Sequence, residues 1–413
     1  MMRSRVALAA TFLSVFWTTR SLHARPITLV EAFAAADESP TLASAATEVD
    51  EAIGNLEQAG TYTYNPELVT LTAPTVRADS LLYELEIGVS QIIEIGGKRD
   101  ARRRAAAATR DATVARAAAR KLALYADVRR AFDAALVTQG RVEVTADDEL
   151  SARELREAAA ERMRLGAGTQ TEVNVAIAGL GRAIAAHKAA MRDLLVARQS
   201  LGEQLGIAGA DLEPSGQMPT FPALTRSEDE LIAEALTSRP DLAAADDLRA
   251  ARQAEVDLAD ALAVPDPAVS LAWARSTVEK TDAAVVGLSV ELPLWNRNQG
   301  GRRAARAAQR RAVIEREALR RAIDREVRTA ARRYKAALEA IAAFDQQVVN
   351  TLDDNLRLAR EAMASGKLGL LALNQVRRDL VESQLTYLDA IAEAVEARNT
   401  LEKATGRLLG GAR

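Results

Sequence analysis

Few side chains in this sequence can do chemistry, and their types and spacing narrow what it can be. The 413-residue chain has no Cys and two His, His23 and His187. A thiolate nucleophile, a disulfide, a thiolate metal site and a lipidated cysteine are therefore excluded. A Ser-His-Asp arrangement would have to draw on His187, which lies in a long Ala-rich helical stretch. Strong Zn²⁺ or Cu⁺ sites need imidazole or sulfur ligands. The chain offers only these His and six Met, so His187 reads as a helix-surface residue rather than a ligand. Gly96-Gly97-Lys98-Arg99 lacks the spaced first Gly and the Ser/Thr after Lys of a phosphate loop. Carboxylates are abundant, mostly at helix-surface spacings. Glu84, Glu86 and Glu291 stand apart, because they occupy the polar positions of alternating segments. The residues point to no enzyme activity and no cofactor.

The composition describes the elements that carry these residues. Aromatics are 4%, Gly 22 and Pro 11, while Ala is about a fifth of the chain, far above ordinary usage. Ala is the best helix former, and scarce breakers mean long uninterrupted helices. A doubly wound α/β fold, a sandwich or a disordered chain fits poorly. Charged residues are balanced, with a formal net charge of -3, a poor profile for binding nucleic acid. Arg3 and Arg5 followed by the apolar Val6 to Trp17 predict a signal peptide over residues 1–24, with cleavage after Ala24. The other reading of that stretch is an N-terminal membrane anchor. No later run of 18 apolar residues exists, so the remainder is either exported and soluble or crosses a membrane as strands.

The chain is written twice, at an offset near 200 residues. Asn65-Pro66-Glu67-Leu68 returns as Asp266-Pro267-Ala268-Val269. Glu161-Arg162-Met163-Arg164-Leu165-Gly166 returns as Glu361-Ala362-Met363-Ala364-Ser365-Gly366. The first repeat covers 25–210, with short helices, strands at 62–73 and 82–95, and a helical hairpin over 98–206. A linker over 211–226 holds Pro214, Gly216, Pro219 and Pro222. The second repeat covers 227–413, with strands at 267–274 and 284–294 and a hairpin over 299–409, its first helix running to about 365. Residues 100–165 as one helix would span on the order of 100 Å at ~1.5 Å per residue. Val376, Leu380, Tyr387, Ile391 and Val395 form a narrow coiled-coil stripe. A coiled-coil rod alone does not explain the strands. In 83–90, and again from Val286 to Leu294, apolar and polar positions alternate, which gives one wet and one apolar face. Such runs are long enough for tilted membrane strands. Four strands cannot close a barrel, so either several chains share one or the strands form a small soluble sheet beside the helices.

These elements together resemble the TolC family of outer-membrane efflux channels, also called outer membrane factors. The resemblance rests on a signal peptide, tandem repeats, two strands then a helical hairpin in each, and a turn at Gly166 or Gly366. Ser90-Gln91-Ile92-Ile93-Glu94-Ile95-Gly96-Gly97-Lys98-Arg99 and Leu292-Pro293-Leu294-Trp295-Asn296-Arg297-Asn298-Gln299-Gly300 are similar to its CzcC-type, heavy-metal efflux branch. The resemblance implies a mainly α fold with a small β part: a long α-helical barrel continuous with a shared transmembrane β-barrel. It further implies a homotrimer in the outer membrane and its lipid, extending into the periplasm. Its partners would be a periplasmic adaptor (membrane fusion) protein and an inner-membrane RND-type pump. The cargo would be divalent heavy metals such as cobalt, zinc and cadmium, or, on the alternative reading, drugs and small solutes.

The turns at Leu165, Gly166, Gly168 and Thr169, and at Gly366, Lys367, Leu368 and Gly369, would form the tip where an adaptor docks. Their glycines also supply the positive φ that a tight reversal needs. Family members carry acids just after the tip, and Glu172 is the candidate here. The second repeat offers Asn374 and a later Asp379, which leaves a standard acidic gate ring in doubt. Glu84, Glu86 and Glu291, triplicated, would ring the barrel if that face lines it; the other reading is ordinary solvated strand residues. Lys98, Arg99, Arg102, Arg103, Arg104, Arg302 and Arg303 would meet inner-leaflet headgroups or simply face solvent.

Overall fold

The structure is a computed structural model and describes residues 25–77, 80–209, 211–277, 279–344 and 346–409. The expected signal peptide lies outside the described residues. In chain order the elements are β1 (Arg25–Ile27), α1 (Leu29–Asp37), α2 (Pro40–Gly60), β2 (Glu67–Arg77), β3 (Ser80–Ile92), α3 (Lys98–Arg164) and α4 (Gln170–Leu205). Then come β4 (Leu212–Pro214), α5 (Glu228–Ser238), α6 (Pro240–Ala261), β5 (Pro267–Ser276), β6 (Thr281–Val290), α7 (Gln299–Ala342), α8 (Gln346–Ala364) and α9 (Leu370–Thr405).

Local chemistry sets most boundaries. Thr28, Thr169 and Ser227 each cap a helix with the side-chain oxygen, while Glu31, Glu172 and Glu230 reach back to the cap backbone, which satisfies two orphan donors at once. Pro40 and Pro240 open their helices where a missing N–H costs nothing. α3 runs 67 residues, on the order of 100 Å. Ala is the commonest of its buried residues, and the small side chain lets helices approach closely.

The strands differ from the sequence expectation at their ends. β2 starts at Glu67, not 62, because Pro66 precedes it and Tyr62 turns back, its hydroxyl donating to Ile92 O at 2.9 Å. β3 stops at Ile92 because Gly96 and Gly97, both with positive φ, turn the chain into α3. β6 lies at Thr281–Val290, since Pro293 lacks the N–H to continue a ladder. The expected single helix from 299 to 365 is two helices. Phe344 N–H bonds Ile341 O at 3.0 Å, three residues back, and its ring meets Tyr387 at 6.0 Å. No Gly or Pro marks that break.

The four long strands form one antiparallel sheet in the order β2-β3-β5-β6. The helices below follow the same order: α3 packs on α2 and on α6, and α6 packs on α7. Further from the sheet, α3 packs on α4 and α9, and α9 on α7 and α8. Each half therefore contributes one helical hairpin, and the halves meet at α3 against α6 beneath the sheet and at α3 against α9 further from it. Most buried apolar residues sit at mid-length, where α5, α7 and α9 enclose Ile323, Val327, Tyr334 and Leu401. There β1 pairs parallel with β4 over Ile27, Leu124, Val128 and Phe132.

The α3–α9 seam also carries charge. Arg398 is 2% exposed and donates to Asp133, which is 5% exposed. Arg129 donates to Glu402 at 2.9 Å, and Tyr334 donates to Pro222 O at 2.8 Å. Burial pushes the Asp133 and Glu402 carboxyls above their ordinary values, against the pull of these arginines. Burial also pushes the Tyr334 hydroxyl up to about 12. These pairs join the two repeats and fasten the linker, since Arg398 also reaches Thr220 O and lies over Phe221.

Candidate functional site

The sheet has two chemically distinct faces, and the register assigns every residue to one. Leu85, Ile87 and Val89 share a face with Val269, Leu271 and Trp273, and with Val286, Leu288 and Val290. That face is apolar and open: Leu271 is 61% exposed and Val286 76%. A water-exposed patch of this kind needs a cover. On the other face Glu84 pairs with Ser276, Glu86 with Ala274, Gly88 with Ala272 and Ser90 with Ser270, and Ser270 continues to Gly287. Small side chains dominate it in β5, whereas β2 adds Val69 and Leu71 and β6 adds Val285. Glu67, which the alternation missed, shares this face opposite Ser90. Its signal was weak because β2 alternates poorly, with Leu68 followed by Thr70 and Thr72 on the apolar face. Glu291 lies one residue past β6, exposed. Glu67 and Glu291 both line an open cleft of about 830 Å³ beneath the sheet, with Tyr64 and Asp266.

Four of the basic residues at the helix starts, Lys98, Arg99, Arg102 and Arg302, are engaged within the chain. Lys98 is buried and pairs with Asp266 of the other repeat at 2.7 Å. Arg102 pairs with Glu94, Arg302 with Asp260, and Arg99 donates to Gly60 O at 2.8 Å. Lys98 and Arg102 tie α3 to the segments beside β5 and β3, whereas Arg302 ties α7 to α6 and Arg99 ties α3 to α2. Arg103, Arg104 and Arg303 remain exposed.

At the opposite end, Gly166 and Gly366 adopt φ of 72° and 75° and close the two hairpins. The next N–H groups bond back to Arg162 O and Ala362 O, both at 2.8 Å, which satisfies the last carbonyls of α3 and α8. Leu165 is 66% exposed beside Gly166. Gly168 has Arg162 and Glu172 against it, and Thr169 is the α4 cap. Lys367 and Gly369 are exposed, whereas Leu368 packs with Met363 on Leu155, Val173 and Leu373, where the two hairpins meet.

The gate candidates fall in different places. The Glu172 carboxylate accepts from Thr169 N–H at 3.0 Å, so it is committed to the cap. Asn374 is 6% exposed and accepts from Arg377 at 3.1 Å, and Arg377 pairs with Asp148 of α3. Asp379 is exposed and accepts from Gln375 at 2.6 Å. The structure does not bring Glu172, Asn374 and Asp379 together as one cluster. The Asp148–Arg377 pair was not legible in the sequence, since 229 residues separate its members. His187 pairs with Glu149 at 2.8 Å on the α3–α4 seam. Among the described residues no group of three His, Asp or Glu could hold a metal ion, and no helix is long and apolar enough to cross a membrane.

A sheet with one apolar face and two open edges, running directly into long helices, one of them ~100 Å, defines the class: an outer-membrane channel subunit with β-barrel and helical-barrel parts. Comparison with known proteins gives the family. The sequence model described as "Outer membrane efflux protein" matches residues 34–207 and 231–407, and the chain belongs to that family. It is 30% identical over 389 residues to the cobalt-zinc-cadmium resistance protein CzcC of Cupriavidus metallidurans, covering 93% of this chain and 91% of CzcC. The fold is similar to the outer membrane protein VceC of Vibrio cholerae, with TM-score 0.74, 19% identity, and 92% and 96% of the two chains covered. It is also similar to the open state of the Neisseria gonorrhoeae MtrE outer membrane channel, with TM-score 0.72, 18% identity, and 98% and 97% covered. The chain is an outer-membrane protein of the efflux type.

Proposed function

We propose that three copies close the four-stranded sheets into one twelve-stranded barrel, and that the chain is the passive exit duct of a tripartite efflux system. The adaptor docks at the tip around Leu165, Gly166, Gly168 and Thr169 and around Gly366, Lys367, Leu368 and Gly369. An RND-type pump in the inner membrane supplies the energy. The cargo is divalent heavy-metal cations, the class named for the CzcC relative.

One observation carries the cargo reading. The carboxylate-bearing face of the sheet holds Glu67, Glu84 and Glu86, with Glu291 just beyond, and no Lys or Arg position except Arg77 at the far turn. With that face inward, a trimer triplicates each carboxylate, and rings of this kind favour cations while letting them leave. Binding is weak by composition, since the pore offers no Cys and His187 is engaged with Glu149. Ion selection then lies in the pump.

The test is deletion of the gene, with growth measured across Zn²⁺, Cd²⁺, Co²⁺, Ni²⁺ and Cu²⁺ and with dyes and detergents alongside. Sensitivity to the metals alone, restored by the intact gene, supports this cargo. Sensitivity to dyes and detergents without metals moves it to drugs and small solutes.

A further inference from the structure

The strand order β2-β3-β5-β6 and the matching helix order α2-α3-α6-α7 leave two free helix edges beneath the sheet, α2 and α7. These edges carry opposite charge. α2 holds Glu48, Asp50, Glu51 and Glu57 and no Lys or Arg. Glu48 is engaged with Arg120 inside the chain. Asp50 and Glu57 are exposed and have no cationic partner among the described residues. They lie across α2 from Ala45, Ala52 and Ala59, the residues buried in the fold. Gly54, with open space where a Cβ would stand, sits between them. α7 carries thirteen Lys or Arg against five Asp or Glu. Arg303, Arg310, Ile314, Arg321 and Arg325 recur at spacings of seven and four, which puts them on one stripe, and all are exposed. The stripe is half a turn from buried Ala312, and Ile314 within it is 69% exposed. Arg303, Arg310 and Arg325 have no carboxylate partner among the described residues.

The spacing also matches. α2 rises to the sheet and ends at Gly60, while α7 descends from it starting at Gln299. Both ends lie at the same rim: Arg99 at the start of α3 bonds Gly60 O, and Asn298 at the start of α7 bonds Ala259 O at the end of α6. Glu57 and Asp50 then lie roughly 5 and 15 Å below the rim, and Arg303 and Arg310 roughly 6 and 17 Å below it. The repeat supplies a template as well. Inside the chain, descending α3 of one half packs on ascending α6 of the other. The same step taken once more sets α7 of one copy on α2 of the next.

We infer that the basic stripe of α7 docks on the acidic edge of α2 of a second copy, with Arg303 facing Glu57 and Arg310 facing Asp50. The contact is head-to-tail, so it does not stop at a pair, and with the three-fold rotation of the proposed trimer it closes a ring. Gly54, roughly 9 Å below the rim, allows close approach between the charged rungs. The inference rests on the trimer proposed above and adds the chemistry that closes it.

The cysteine-free chain allows a direct test. The full-length chain carrying Glu57→Cys and Arg303→Cys is oxidised in isolated outer membranes and run on a denaturing gel without reductant. Covalent dimers and trimers are expected, with none from either single variant. In parallel, Asp50→Arg with Glu57→Arg should reduce the detergent-extracted trimer remaining at a fixed warm temperature by roughly ten-fold. Adding Arg303→Glu and Arg310→Glu should restore it, which shows that the chain still folds. A wild-type trimer with no cross-link and no charge rescue overturns this contact and leaves the trimer standing. A wild type that never runs as a trimer overturns both. Loss of cross-linking together with Arg303-dependent binding to phosphatidylglycerol vesicles would reassign the stripe to lipid and also overturn it.

Discussion

Replacing Arg398 with Met tests whether the buried ion pair holds the two repeats together. Arg398 and Asp133 are 2% and 5% exposed, and the guanidinium also lies 5.1 Å from the centroid of the Phe221 ring. Arg398→Met leaves the Asp133 carboxylate buried without its main cation, a change that costs about 3–5 kcal/mol. Arg129 also attracts Asp133, so the loss should fall near ~3 kcal/mol. It should also depend on pH. Burial already raises the Asp133 carboxyl above its ordinary 3.8, and without Arg398 it rises further. A group whose folded value is raised contributes most below its unfolded value and loses that contribution as pH climbs through the folded one. The gap between wild type and variant should therefore widen from pH 5 to pH 8, by at most ~1.4 kcal/mol per unit. Asp133→Leu combined with Arg398→Met removes both charges and should recover to within ~2 kcal/mol of wild type. The assay is urea unfolding of detergent-solubilised protein, followed by helical circular dichroism at the two pH values. A single-variant cost below ~1 kcal/mol at pH 8 refutes the reasoning. So does a cost that ignores pH, or a double variant no better than the single.

Further predictions follow from the same contacts. A Cβ at Gly88 would lie 2.5 Å from the Ala272 Cβ and 2.7 Å from Leu271 O, so Gly88→Ala should separate β3 from β5 at a cost of ~1–3 kcal/mol, seen as lost heat-modifiable migration of the barrel. Gly140→Ala, whose Cβ would press on the flexible end of Met218 at 2.6 Å and touch Leu388 at an ordinary 3.4 Å, should migrate normally and serves as the control. Gly166→Ala and Gly366→Ala have open space but positive φ. Each should cost about 1 kcal/mol and weaken adaptor binding in a pull-down without changing barrel migration. Glu84→Gln with Glu86→Gln should lower the cation-to-anion permeability ratio in planar bilayers roughly three-fold or more; an unchanged ratio would place that face outside the pore. Glu234, held by Arg226 and then Arg407, has its carboxyl below the ordinary 4.5. Its contribution is present above that value and is lost as pH falls through the folded one, so hydrogen exchange at 226–234 should accelerate below about pH 4.5 relative to pH 7 after correction for intrinsic rates.

Local and periodic properties were legible in the sequence by itself. Ala content and scarce breakers implied long helices, and period-two alternation in 83–90 implied a two-faced strand. The offset near 200 implied two equivalent halves, and Gly166 and Gly366 marked the reversals. Each depends on residues a few positions apart, or on a pattern repeated, so one chain of letters carries it. Glu84 and Glu86 were assigned to the polar face for the same reason, and the register kept them there.

Contacts between distant segments were decided only by the tertiary structure. Lys98 reads as a solvent or headgroup lysine until β5 brings Asp266 beside it. Glu172 reads as a free carboxylate until the turn folds it onto Thr169, and Asn374 reads as pore-facing until α3 covers it through Asp148 and Arg377. The helix break before Gln346 has no Gly or Pro, because Phe344 turning onto Tyr387 of another helix accompanies it. The opposite charges of α2 and α7 are visible in the letters, but their meaning depends on the fold leaving those two helices, and no others beneath the sheet, at its edges. Propensity and period act along the chain, whereas burial, ion pairing and the identity of an edge are set by what packs across it.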